Sequence, residues 1–312
     1  MDTQFPRWEA IGRLAEWRDR LYQLGCSCRH STLLILAGDN GISAEQTGVY
    51  SPMQSALIVR EHLQGSSPVT ILLKQIGSKE TIIDVGLASP VDDIGVINYN
   101  IKRGSRNFLD GDALEPWEAQ SAWQLGATLW DEVINKEYDI VLLGEIGIAN
   151  TLCAAAIAVA LTGVDPAALT GEGSGDSKVI DKKIDIISRA MELRRPEPGN
   201  IIDILARFGG LEIAALAGFI SKCSQRRIPL ILDGYVTSVA ALLASVVEPE
   251  VVNYLLAPSL AKQNGHKLIL DRLGIPFLFD MGINYGEGLA AAIGLYLSQL
   301  MVKAFPEGGN IH

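Results

Sequence analysis

Four times along the chain, a short apolar stretch ends at a loop of glycine and acidic residues. The first stretch, residues 33–36, is followed by Gly38, Asp39, Asn40 and Gly41, which break regular structure. Such a stretch is typical of a strand buried on both faces. The pattern recurs at residues 139–151, 229–234 and 276–282. Because ligands of open α/β sheets bind outside the carboxyl ends of the strands, we expect these loops to form one composite site.

Strand-like stretches alternate with helical stretches along the whole chain. This alternation predicts an α/β fold with a doubly wound, mainly parallel sheet flanked by helices. Residues 81–85 add a further strand. Helices are expected over residues 7–24, 53–63, 69–75, 115–136, 151–162, 211–223 and 287–303. The sequence contains no obvious repeat or linker.

Composition argues against several classes of protein. The formal net charge of −10 and the isoelectric point near 5.0 argue against a general nucleic-acid binder. No apolar run reaches the roughly 18 residues of a membrane span, and the charged N-terminus is unlike a signal peptide. The four cysteines have neither disulfide-framework nor zinc-ribbon spacing. We therefore predict a cytoplasmic protein with reduced thiols and without nucleic-acid or membrane partners.

Seven short motifs follow one another in an order that is similar to one known family. They are AGDNGI (37–42), GEIGIANT (144–151), TGEGSGD (170–176), GGLEIAALAG (209–218), RRIPLILDGY (226–235), GH (265–266) and DMGINYGEGLAAA (280–292). In this order and spacing the chain resembles the nicotinate-nucleotide:dimethylbenzimidazole phosphoribosyltransferase family over nearly its whole length.

The resemblance implies an enzyme of cobamide nucleotide-loop assembly. Such an enzyme moves a phosphoribosyl group from nicotinate mononucleotide to an aromatic lower-ligand base such as 5,6-dimethylbenzimidazole, giving an α-ribazole-type phosphate and nicotinate. It also implies a dimer, an α/β phosphoribosyltransferase domain over residues 31–288, and a small helical part formed by residues 1–30 and 289–312. No cofactor is expected.

The reaction needs a base, because nicotinate leaves with a neutral ring nitrogen whereas the acceptor must lose a proton. In the family this base is a glutamate, and the resemblance places it at Glu287 in the sequence YGEG. By position alone, Glu287 also fits an ordinary glutamate that complements the dipole at the start of a helix.

The donor phosphate needs groups that bind oxyanions, yet the chain has no Walker A sequence. The resemblance places these groups in two glycine loops and a lysine. Lys183 matches the family's lysine, and Lys182 is an alternative. Each glycine also fits a simple turn. The predicted donor-binding residues are Glu145, Gly147, Asn150, Thr151, Gly171, Gly173, Ser174, Gly175, Lys183 and Asp233.

The acceptor pocket is expected around the loop after the first strand. The residues implied by the resemblance are Asp39, Tyr50, Ser51, Gln54 and Ile146, although Tyr50 and Met53 also fit a core role. His30, His62 and His312 look like surface or helix residues, and His266 like a structural one. Since none has a metal-like neighbour, we predict no metal site.

Several positions depart from the family's pattern. Asn40 replaces a histidine, Ala149 replaces a glycine, and residues 258–263 lack a histidine and a carboxylate found in the family. The acceptor is therefore either a benzimidazole or, as in a branch built from paired unequal subunits, phenol or p-cresol.

Two further functional classes are possible. The glycines at 171, 173 and 175 suggest a dinucleotide-binding dehydrogenase, but their spacing differs from that of the dinucleotide fingerprint. A non-catalytic partner subunit is the other class, against which the retained Glu287 and Lys183 argue.

Overall fold

The computed structural model describes residues 12–51, 54–134, 138–173 and 179–305. Its strands are β1 (Ser31–Gly38), β2 (Lys79–Gly86), β3 (Val96–Asn98), β4 (Ile140–Ile146), β5 (Leu230–Ile231), β6 (Leu255–Ser259) and β7 (Phe277–Phe279). Its helices are α1 (Arg13–Gln23), α2 (Gln54–Leu63), α3 (Pro68–Gln75), α4 (Pro116–Glu132), α5 (Asn150–Thr162), α6 (Pro166–Leu169), α7 (Ile180–Arg194), α8 (Ile201–Phe208), α9 (Leu211–Ile220), α10 (Cys223–Arg226), α11 (Tyr235–Val247), α12 (His266–Leu273) and α13 (Leu289–Ala304).

Within the described residues the strands form one seven-stranded parallel sheet in the order β3-β2-β1-β4-β5-β6-β7. The chain builds outward from β1 to β3, returns to the other side of β1 with β4, and continues to β7. The predicted α/β fold is confirmed. Its order reverses between β1 and β4, where open α/β sheets place their ligands. The two edge strands, β3 and β7, have three residues each.

The central strand shows why the sheet is covered on both faces. All eight residues of β1 are buried. Leu34 and Leu36 pack in the core beneath α4, α5 and α9, whereas Leu33 and Ile35 pack in a second core with α2, α3 and α13. A strand alternates its side chains between the two faces, so a continuous apolar run such as residues 33–36 requires helices on both.

Several predicted boundaries differ from the observed ones. The helix expected over residues 211–223 ends at Ile220, and the one expected over 115–136 ends at Glu132. The last helix begins at Leu289, not at 287, because residues 286–288 all have positive φ. Strands β3 and β6 and helices α6, α7, α8, α10, α11 and α12 were not predicted.

Helices from the two ends of the described chain pack together. Trp17 Nε1 in α1 donates to Ser298 Oγ in α13 at 2.8 Å, and the Tyr22 hydroxyl donates to the Phe305 carbonyl at 2.9 Å. Helix α13 also packs against β4 and β6 of the sheet. These contacts are consistent with a helical part formed by the chain ends, and the division into two domains stays a prediction.

Candidate active site

A cleft lies at the carboxyl ends of the strands, bounded by the loops that follow β4, β5, β6 and β7. Most of the predicted site residues meet there, which agrees with the expectation of a composite site. The predicted residues that line the cleft are Tyr50, Glu145, Ile146, Gly147, Asn150, Thr151, Gly173, Asp233 and Glu287. A small adjoining pocket is lined by Lys183 together with Tyr50 and Thr151.

Four of the predicted residues that the structure describes line neither the cleft nor the adjoining pocket. Ser51 and Gln54 hydrogen bond to each other at the start of α2, and Gly171 packs against Gln263. Asp39 is buried beneath the cleft floor, where its carboxylate accepts hydrogen bonds from Ser55 Oγ at 2.5 Å and the Ala88 amide at 2.8 Å. Asp39 therefore ties strand ends together. Ser174 and Gly175 lie outside the described residues.

Glu287 has a backbone conformation that residues other than glycine rarely adopt. Its φ is 60°, and the flanking Gly286 and Gly288 have φ values of 83° and 91°. The turn lies directly on the sheet, because a Cβ at Gly144 in β4 would come within 2.9 Å of the Glu287 backbone. Left-handed backbone at a bulky residue costs free energy and is concentrated at functional sites. The geometry thus fixes a carboxylate in the lining of the cleft.

Behind Glu287 lies a histidine that the sequence did not identify as part of the site. His62 of α2 is a helix residue as predicted, but it is buried. Its Nε2 lies 2.9 Å from Glu287 Oε2, and its Nδ1 lies 2.8 Å from Glu80 Oε2. The amphipathic pattern of α2 gives no signal for this contact, because both partners are distant in sequence.

Two further carboxylates lie near Glu287. Burial raises the pKa of Glu145 well above its ordinary value, and the neighbouring Asp233, Glu212 and Glu287 raise it further. The Glu145 carboxyl also accepts a hydrogen bond from the Asn150 side chain. This environment favours the protonated form of Glu145, which is able to donate a hydrogen bond.

Asp233 follows β5 and anchors the start of the last helix. Its Oδ1 accepts hydrogen bonds from the amides of Ala290 at 2.7 Å and Ala291 at 3.2 Å. Burial raises the pKa of Asp233 to about 6, although these amides favour the ionised form. Since α13 follows Glu287 almost directly, Asp233 fixes the turn that carries it.

The start of α5 gives the cleft features that suit an anion. The first residues of α5, Asn150 and Thr151, face it, and the first amides of a helix have no partner within the helix. Gly147 lets this loop approach β1, because a Cβ there would collide with the Gly38 oxygen. Ala149 precedes α5 with a φ of 65°.

Lys183 reaches the same region from α7. Its Nζ donates to the backbone oxygens of Glu172 and, at 3.5 Å, of Gly171. Burial lowers the pKa of Lys183 to about 8. A Cβ at Gly173 would lie 3.0 Å from this Nζ and 2.7 Å from Thr151 Oγ1. Lys182, in contrast, is directed to the backbone oxygen of Glu45 at the surface.

Two amides connect opposite walls of the cleft and were not predicted. Asn284 Nδ2 donates to the Gly173 oxygen at 2.7 Å, and Gln263 Nε2 donates to Asn284 Oδ1 at 3.2 Å. Gln263 belongs to the stretch that departs from the family's pattern. That departure was the only sequence signal for its position beside the glycine loop.

His266 has a structural environment, as the sequence suggested. Its Nε2 lies 2.9 Å from Ser238 Oγ, and its Nδ1 accepts from the Ala261 amide at 2.8 Å. Burial lowers the pKa of His266 to about 4, so the ring is neutral. Among the described residues, no cluster of His, Cys, Asp and Glu is arranged to hold a metal ion, and no helix is long and apolar enough to cross a membrane.

Comparisons with known proteins agree with one another. A family model described as phosphoribosyltransferase matches residues 6–308. The nicotinate-nucleotide–dimethylbenzimidazole phosphoribosyltransferase of Desulforamulus reducens is 33% identical over 281 residues, covering 89% of this chain and 80% of that protein. The protein of the same name from Geobacter sulfurreducens is 32% identical over 313 residues, covering 98% and 89%. The crystal structure of CobT from Thermus thermophilus superimposes with a TM-score of 0.89 and 28% identity, covering 96% and 91%.

Proposed function

Because the chain belongs to the nicotinate-nucleotide–dimethylbenzimidazole phosphoribosyltransferase family, we propose that it transfers phosphoribosyl from nicotinate mononucleotide to an aromatic base. The acceptor of this proposal is 5,6-dimethylbenzimidazole or a close analogue, and the products are an α-ribazole-type phosphate and nicotinate. The observation that carries the proposal is the Glu287 carboxylate, which a left-handed turn places in a cleft that also has anion-binding features.

The reaction balances with one base. A ring nitrogen of the acceptor attacks the anomeric carbon, and the bond from that carbon to the pyridinium nitrogen breaks. The bonding electron pair returns to the nicotinate ring, so nicotinate leaves without needing a proton. The proton on the second nitrogen of the acceptor passes to Glu287, and solvent later removes it.

The donor fits the cleft with its phosphate toward α5. Lys183 and the first amides of α5 provide charge and hydrogen-bond donors for the phosphate oxygens. A protonated Glu145 donates to a ribose hydroxyl or carboxylate oxygen of the donor. The acceptor ring then lies between Tyr50 and Ile146, on the side of the cleft that is closed by Glu287.

The test of the base is Glu287→Gln. The amide keeps the size of the side chain but accepts no proton, so turnover should fall by roughly the 10²- to 10⁴-fold typical of general-base loss. Donor affinity, measured by calorimetry, should stay within about twofold. Glu61→Gln, which removes an exposed carboxylate of α2, is the matched control. Near-normal turnover of Glu287→Gln would remove this residue from the mechanism.

A further inference from the structure

His62 is enclosed between two carboxylates from different parts of the fold. Its side chain is fully buried, whereas the side chains of Glu80 and Glu287 are 14% exposed each. Each ring nitrogen lies within 2.9 Å of one carboxylate oxygen. An imidazole that donates from both nitrogens is a cation, so the geometry matches an imidazolium with a negative partner on each side.

A second layer of hydroxyl groups holds this arrangement. Thr70 Oγ1 donates to Glu80 Oε1 at 2.8 Å, and Ser67 Oγ lies 3.2 Å from His62 Nε2. Glu80 is thereby oriented by α3, and it in turn orients the imidazole. Polar contacts thus form a chain that runs from Thr70 through Glu80 and His62 to Glu287 at the cleft.

The charges around His62 favour its cationic form. Burial lowers the pKa of His62, but the hydrogen bonds and charges of Glu287 and Glu80 outweigh burial and raise the pKa to about 9. Tyr285 also faces this region, where it hydrogen bonds to Ser67 and lies near Glu61 and Tyr50. At neutral pH the ring is charged.

We propose that His62 is a positioning residue for Glu287: its Nε2–H holds one carboxylate oxygen, its positive charge faces that carboxylate, and the second oxygen is left for the acceptor's proton. This inference rests on the proposed role of Glu287 as the base. The cation also balances its surroundings, because Asp233 adds a negative charge near Glu287.

A purely structural ion pair makes a different prediction from a positioning role. If His62 only stabilised the fold, its replacement would lower the stability and leave the pH dependence of turnover unchanged in the folded enzyme. If the charge of His62 supports the base, its replacement moves the acidic limb of the pH–rate profile, because a carboxylate that loses a neighbouring cation is protonated more readily and protonation of the base stops turnover.

The experiment measures kcat and KM of full-length His62→Gln and Glu80→Gln between pH 5 and pH 10. Glutamine retains an N–H group but not the charge, so for His62→Gln we expect kcat at any pH on the acidic limb to fall about tenfold. We also expect the midpoint of the acidic limb to move to higher pH by about one unit. The KM for the donor should change less than about twofold. Glu80→Gln should give a smaller shift in the same direction. His30→Gln, at an exposed histidine, is the control.

A second measurement does not depend on turnover. The chain has four histidines, so NMR resolves the His62 ring signal, which is identified by its loss in His62→Gln. It should titrate near pH 9 in the wild type and at lower pH in Glu287→Gln and Glu80→Gln. A titration near the ordinary value of about 6.5 would overturn the inference, as would a wild-type kcat and pH profile in His62→Gln. If Glu287→Gln is inactive while His62→Gln is normal, the positioning role fails and the base assignment stands. If Glu287→Gln is active, the proposed base fails, and the positioning role that rests on it fails as well.

Discussion

The residues of the cleft differ in how far the sequence revealed them. Glu287 was predicted because it lies in a motif. Its contact with His62 was not, because residue 62 lies in α2 and residue 287 just before α13, far apart along the chain. The resemblance implied that Asp39 binds the acceptor. A loop motif does not show which way a side chain turns. The structure directs that carboxylate to Ser55 and Ala88.

One prediction concerns the contribution of Lys183 to donor affinity. A charge-assisted contact to phosphate contributes about 1.5 to 3 kcal/mol, so Lys183→Ala should raise the donor Kd by roughly tenfold to a hundredfold at pH 7. The pKa of Lys183 is lowered to about 8, so its charge is present below that pH and lost above it. The donor affinity of the wild type should therefore weaken as the pH rises through 8. The donor affinity of Lys183→Ala should change less over the same pH range.

Calorimetry from pH 6.5 to pH 9 checks this prediction. Lys182→Ala is the matched control, because its Nζ contacts the Glu45 backbone and not the cleft. The acceptor affinity should hardly change in either variant. Unchanged donor affinity in Lys183→Ala, with a loss in Lys182→Ala, would assign the phosphate contact to Lys182.

At the scale of elements, long periodic segments were predictable and short ones were not. The apolar run of β1 and the Ala-rich α5 carry strong signals over 8 and 13 residues. Strand β3 has only three residues, and β6 contains Pro258, which is unfavourable in a strand interior. The start of α13 was misplaced by two residues, since sequence periodicity does not report the left-handed turn before it.

The loop before α5 gives a prediction about stability. Ala149 has a φ of 65°, where an L-residue is disfavoured by about 1–2 kcal/mol, and glycine is not. After allowance for the greater freedom of glycine in the unfolded chain, Ala149→Gly should raise the free energy of unfolding by up to about 1 kcal/mol.

Urea denaturation of both Ala149→Gly and Ala160→Gly measures this effect. Ala160 lies within α5 in right-handed helix, so glycine there should instead lower stability by about 0.5–1 kcal/mol. If both substitutions destabilise the protein equally, the left-handed loop is not a source of strain.

At the scale of the whole molecule, fold and family followed from the order of the motifs, whereas the acceptor and the assembly did not. The four predicted strand ends converge, because parallel strands present their carboxyl ends on one edge. The acceptor depends on the shape of the cleft walls, and these come from loops whose geometry no single motif specifies. That the chain forms a dimer, of equal or of unequal subunits, stays a prediction.

Acceptor choice and assembly are tested together. A benzimidazole has an unprotonated ring nitrogen ready to attack, whereas a phenol, with a pKa near 10 as in tyrosine, attacks well only while losing its proton. We expect the isolated chain to turn over 5,6-dimethylbenzimidazole with nicotinate mononucleotide. We also expect Glu287→Gln to reduce any phenol activity more than benzimidazole activity.

The assay compares the chain alone with the chain mixed with a homologous second subunit, across a panel of benzimidazoles and phenols. If the isolated chain is inert with every acceptor but the mixture is active toward phenol, the predicted homodimer is wrong. The protein is then one of a pair of unequal subunits. If the isolated chain favours phenol, the proposed benzimidazole acceptor is wrong, whereas the predicted homodimer stands.

The short edges of the sheet bear on how the protein behaves at high concentration. Exposed edge strands offer free backbone groups that recruit strands from other molecules and so begin aggregation. Here the two edges, β3 and β7, have three residues each, while the long apolar strand β1 lies in the centre with partners on both sides. The folded chain therefore presents few backbone groups for intermolecular strand pairing, and aggregation would first require that the centre of the sheet be opened.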